Sequence, residues 1–123
     1  MDVHRHVLAG SADLIEFPLG IQYATGVDEC VKAVREQISR GITWIKLYSD
    51  WKTATFSFGE MHAIVSEAQK YNIEVAAHAT TKEGAHLAIM AGVESIEHGF
   101  GFDDSLIQLT VKKACTGCRL FLL

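Results

Sequence analysis

Three polar residues stand where apolar strands should run on. Lys46 interrupts Ile42-Thr43-Trp44-Ile45-Lys46-Leu47-Tyr48, His78 ends Ile73-Glu74-Val75-Ala76-Ala77-His78, and His98 ends Val93-Glu94-Ser95-Ile96-Glu97-His98. Imidazole is the commonest protein ligand for zinc and similar metals. A lysine in a buried strand is costly as a cation. As a neutral amine it can react with carbon dioxide to form a carbamate, an anion whose two oxygens can bridge two metal ions. A metal pair about 3.5–4 Å apart can activate a water and polarise a scissile carbonyl. Lys46, His78 and His98 therefore have the residue types of a hydrolytic metal site, provided that the fold brings them to one place.

The elements around them alternate between helix and strand. Val27, Val31, Val34 and Ile38 recur at helical spacing, with Asp28 and Glu29 in the first turn, Arg40 in the last, and Gly41 as a stop. The strand Ile42 to Tyr48 follows. Ser57-Phe58-Gly59-Glu60 has the form of a capping box. It opens a second helix with Met61, Ile64, Val65 and Ala68 on its apolar face, ended by Asn72. After the second strand, Thr80 or Thr81 can cap a third helix that runs to about Ala91 and stops at Gly92. After the third strand, Asp103 or Asp104 opens a fourth helix carrying Leu106, Ile107, Leu109 and Val111. Cys118 to Leu123 reads as a last strand. Residues 1–26 show no periodicity, and the expectation there is a loop with at most a short strand.

Helices that cross over between strands demand a parallel sheet. In such sheets ligands bind at the C-terminal edge of the strands. Lys46, His78 and His98 come from three successive strands and should converge on that edge. Ile45 and Leu47 point to the opposite face, so a buried strand explains Lys46 better than a snorkelling surface lysine. Alternation alone does not separate an open doubly wound sheet from part of a (β/α)8 barrel. A whole barrel needs roughly 200 residues or more, so 123 residues make about half of one.

At this point a family resemblance enters. Ile45-Lys46-Leu47-Tyr48, Val75-Ala76-Ala77-His78-Ala79 and Ile96-Glu97-His98-Gly99 resemble the strand-four, strand-five and strand-six signatures of the amidohydrolase superfamily. The branch they resemble is the imidazolonepropionase-like and Xaa-Pro dipeptidase-like group. The likeness covers about residues 24–113. It implies a (β/α)8 barrel that hydrolyses C–N bonds in amides, cyclic amides or dipeptides through a metal-activated water. Lys46 would be the carboxylated lysine bridging two metal ions of zinc type. His78 and His98 would ligate the second metal, and Tyr48 would face the substrate. Two elements of the pattern are absent: the His-x-His of strand one and the Asp of strand eight. His4-Arg5-His6 lies only 40 residues before Lys46, too close for strand one, and reads as a loop near strand three. Ala114-Cys115-Thr116-Gly117-Cys118-Arg119 replaces the expected apolar start of strand seven, so a chain incomplete for catalysis is expected.

Other features have plainer readings. His62 and His86 fall on helices and should be solvated. Cys115-x-x-Cys118 lacks the second pair of a zinc site. Gly99-Phe100-Gly101 is a turn, since it lacks the dinucleotide-binding glycine pattern. Glu97 should point away from the face of His98 and serve structure. Apolar residues at 49% and charged residues at 21% suit a single soluble globular domain over residues 1–123. A net charge of −4 with scattered basic residues argues against a nucleic-acid surface. No apolar run approaches the roughly 18 residues of a membrane span, and a cytoplasmic location is favoured. The partner expected is a small amide or dipeptide substrate. Open strand edges also invite self-association, and a non-catalytic half-barrel or α/β binding module that pairs with itself is the alternative reading.

Overall fold

The computed structural model describes residues 7–10, 22–51, 53–97, 103–115 and 121–122, with side chains for 22–50, 55–97 and 103–112. Strands β1 (Val7–Gly10), β2 (Gln22–Ala24), β3 (Trp44–Tyr48), β6 (Glu74–His78), β7 (Ser95–Glu97) and β8 (Phe121–Leu122) form one sheet in the order β2-β1-β3-β6-β7-β8. Every pairing in it is parallel. Between β3 and β6, strands β4 (Asp50–Trp51) and β5 (Thr53–Ala54) make a small antiparallel ladder. The helices are α1 (Val27–Ser39), α2 (Phe58–Gln69), α3 (Lys82–Ala91) and α4 (Asp104–Cys115). The α/β class with parallel β/α units is the one expected.

The helix ends follow the local chemistry. The Ser57 hydroxyl accepts from the Glu60 N–H at 3.2 Å, and the Glu60 carboxylate accepts from the Ser57 N–H at 2.8 Å, which closes the capping box of α2. Asn72 leaves α2 in the left-handed conformation at φ 57°, where a short polar side chain is tolerated. Thr81, rather than Thr80, is the N-cap of α3.

The register sorts the side chains onto two faces, because successive strand residues alternate. Ile45, Leu47, Val75, Ala77 and Ile96 lie on one face and are buried against α1, α2 and α3. Met61, Ile64, Val65, Ala85, Ala88 and Ile89 complete this core from the helix side. The other face carries Trp44, Lys46, Tyr48, Ala76, His78, Ser95 and Glu97. Among the described residues no helix is long and apolar enough to cross a membrane.

Two expectations change. The first 26 residues contain two parallel strands, with β1 inserted between β2 and β3. Strands of four and three residues are too short to show a period; the pairing of β1 with β3, and of β2 with β1, is what makes them strands. The buried face of α1 is Cys30, Ala33, Val34 and Gln37. Val27, at the first helical position, is exposed.

Candidate active site

At the C-terminal edge of the sheet, three residues stand in one row: Tyr48 is in register with His78, and His78 with Glu97. One row below, Lys46 is in register with Ala76 and Ala76 with Ser95. Alternation puts both rows on the same face. The small Ala76 lets the Lys46 side chain cross β6, and its ammonium reaches the Glu97 carboxylate at 2.6 Å. The same ammonium lies 5.7 Å from the Tyr48 ring centroid, within cation–π range. Tyr48 and His78 pack edge to face, with ring centroids 4.6 Å apart. His78 is buried, at 8% exposure, so its imidazole is held against this wall rather than in open solvent.

Three of the four expected site positions can be located. Lys46, Tyr48 and His78 share a face on adjacent strands. His98 lies outside the described residues, as do His4, His6, Gly99-Phe100-Gly101 and Cys118. His62 and His86 are exposed on helices, as expected. Glu97, expected on the opposite face, instead shares the face of Lys46 and His78 and makes the Lys46 ion pair. Its parity with His78 across the β6–β7 register places it there, a signal that the strand alone did not supply.

Sequence reasoning also missed the polar cluster just beyond the row. Ser49 and Asp50 follow β3 and are buried. The Asp50 carboxylate accepts from the N–H groups and hydroxyls of Thr80 and Thr81. The Ser49 N–H donates to the His78 carbonyl at 2.9 Å, and the Ser49 hydroxyl donates to the Gly84 carbonyl at 2.7 Å. The visible signal was a Ser-Asp pair directly after a strand carrying a candidate ligand.

The donor types suit a metal centre: an imidazole from His78 and, if Lys46 is carboxylated, carbamate oxygens from β3. A carbamate is an anion, so it would repel the Glu97 carboxylate, and the present Lys46–Glu97 ion pair must open before it forms. Among the described residues no group of three or more His, Cys, Asp or Glu side chains could hold an ion.

The model of the amidohydrolase family matches residues 3–116. The chain belongs to the amidohydrolase family. It is 37% identical over 99 residues to ochratoxinase of Aspergillus niger, which covers 73% of this chain and 21% of that protein. The crystal structure of A. niger ochratoxinase superposes with a TM-score of 0.81 at 29% identity, over 96% of this chain and 34% of the other. A Xaa-Pro dipeptidase with methionine bound in its active site gives a TM-score of 0.70 at 31% identity, over 81% of this chain and 27% of that one. A prolidase complexed with N-methylphosphonate-L-proline gives 0.71 at 32% identity, over 84% and 29%. The chain thus spans 21% to 34% of the length of these relatives. The fold class it shares with them is a partial barrel of parallel β/α units.

Proposed function

We propose that the chain contributes the central wall of a metal-dependent hydrolase of C–N bonds, closed as a (β/α)8 barrel in the whole protein. One observation carries this reading: Lys46 and His78 lie on one face of adjacent parallel strands near their C-terminal edge, in a chain of the amidohydrolase family. In the reading, Lys46 is carboxylated and bridges two divalent ions of zinc type, while His78 and His98 hold one of them. Bound metal would supply an activated water and polarise the scissile carbonyl. Tyr48, packed on His78 and beside Lys46, would line the substrate side. The similarity to ochratoxinase and to Xaa-Pro dipeptidases favours an amide or dipeptide-like substrate.

The test is metal content after incubation with zinc and bicarbonate, compared with that of a His78→Ala/His98→Ala double variant. Stoichiometric metal that the double variant loses supports the reading. Equal metal in both removes these histidines from a metal site, and none in either means that this chain by itself does not form the site. In the catalytically complete protein, Lys46→Ala is expected to abolish amide hydrolysis, since the bridge between the ions would be gone. Full turnover in that variant would sink the assignment of Lys46.

A further inference from the structure

We propose that Asp50 is a positioning residue of the candidate site: it locks the loop after β3 onto the loop after β6 and so fixes the His78–Tyr48 ring pair. The proposal rests on the reading of His78 as a site residue.

Asp50 is 1% exposed. A buried carboxylate is costly unless its acceptor sites are filled. Here four donors fill them, all from the two threonines that follow His78-Ala79. The Thr80 N–H and hydroxyl lie 2.9 Å from Oδ1, and the Thr81 N–H and hydroxyl lie 3.1 Å and 2.9 Å from Oδ2. Capping α3 does not by itself require Asp50, because the Thr81 hydroxyl already accepts from the Gly84 N–H at 3.0 Å. What Asp50 adds is a tie between two strands.

The neighbouring bonds carry that tie to the rings. Ser49 donates to the His78 carbonyl, and Thr55 donates through its hydroxyl to the Tyr48 carbonyl and through its N–H to the Ser49 carbonyl. The backbones bearing Tyr48 and His78 are therefore pinned immediately beyond the two rings. Room for the carboxylate comes from Gly84, where an added Cβ would stand 2.0 Å from Asp50 Oδ2. A group that hydrogen-bonds a metal ligand directly typically changes metal affinity by about 10–100-fold when removed; Asp50 acts through the backbone that carries the ring, which points to the lower end of that range.

The experiment uses purified protein with 15N-labelled histidine, reading the His78 ring resonances and the zinc dissociation constant. The variants are Asp50→Asn, Ser49→Ala and Thr80→Val, with Arg35→Ala as a control. Arg35 pairs with Glu67 on the helix side, remote from the clamp, so its loss reports destabilisation alone. Asp50→Asn sets an amide group against two donors. The expected result is displaced His78 resonances and zinc binding weakened by about tenfold or more, with Arg35→Ala matching wild type in both. Resonances and affinity in folded Asp50→Asn equal to those of Arg35→Ala would overturn the proposal. If Asp50→Asn does not fold, unchanged His78 resonances in both Ser49→Ala and Thr80→Val would overturn it. If wild type takes up no zinc, this chain by itself forms no metal site, while the ring resonances still decide the role of Asp50.

Discussion

Gly84 shows how much one missing side chain can decide. Its flexibility is not the point, since it sits inside the first turn of α3; the space it leaves is. Gly84→Ala would gain about 1 kcal/mol in helix propensity. It would also drive a methyl group into a carboxylate held by two threonines, with overpacking of about 1–3 kcal/mol and strain on charge-assisted hydrogen bonds worth about 1.5–3 kcal/mol. A net loss of about 2 kcal/mol is expected in urea unfolding; a more stable variant would mean that Asp50 yields. Cys30 makes the contrasting case of an inert group. Burial first, then the charges of Glu60 and Glu29, push its thiol up to about 12. Mass-spectrometric labelling should therefore modify Cys30 in urea and leave it unmodified in native buffer. Labelling at equal rates in both would refute its burial. At this scale the chain was half legible. Lys46 and His78 stood out because a polar type broke an apolar run. Asp50 and Gly84 did not, because a Ser-Asp pair after a strand and a glycine in a helix are both ordinary until the fold brings them together.

Among the elements, α1 and α2 are joined at their starts by one carboxylate. Glu60 closes its own capping box and also accepts from the Gly26 N–H at 2.8 Å. Burial alone would raise its pKa, but hydrogen bonds from the Ser57 and Gly26 backbones and the Ser57 hydroxyl outweigh this and lower it. A lowered folded pKa gives stability that is present above the unfolded value and lost as pH falls through the folded one. Glu60→Gln should thus be less stable at neutral pH by about 1 kcal/mol, the scale of a lost cap, and should lose less on acidification below about pH 4.5. Parallel acid limbs for the two proteins would remove Glu60 from the account. The capping box, the Asn72 stop and the Gly92 stop were readable in advance, since each is a local bond or a local dihedral preference. The buried side of α1 was not, because helical spacing defines an apolar stripe but not the angle at which a neighbour meets it.

Across the whole molecule, the sheet separates stability from chemistry along a single strand. Leu47 is fully buried on the helix face, whereas Lys46 lies partly exposed on the other. Leu47→Ala should cost about 2–5 kcal/mol. Lys46→Ala should cost less, about 1–3 kcal/mol, the scale of leaving the Glu97 carboxylate, 24% exposed, without its cation, and should lower zinc uptake as well if Lys46 belongs to a metal site. Thermal unfolding and metal content measured on the two variants give the comparison. Equal destabilisation would mean that the second face is also core.

Periodicity, caps and stops are properties of neighbouring residues, so the parallel β/α repeat and the candidate roles of Lys46 and His78 were present in the order of the amino acids. Three things were not. The insertion of β1 between β2 and β3 depends on a partner about 40 residues away, in the Val7–Lys46 pairing. The place of Glu97 beside Lys46 depends on the registers of two strand pairs acting together. The Asp50 clamp depends on loops 30 residues apart meeting across a glycine. Each is a long-range contact whose partners carry no mark of one another in the chain, and only packing the helices onto one face of the sheet brings them within hydrogen-bond reach.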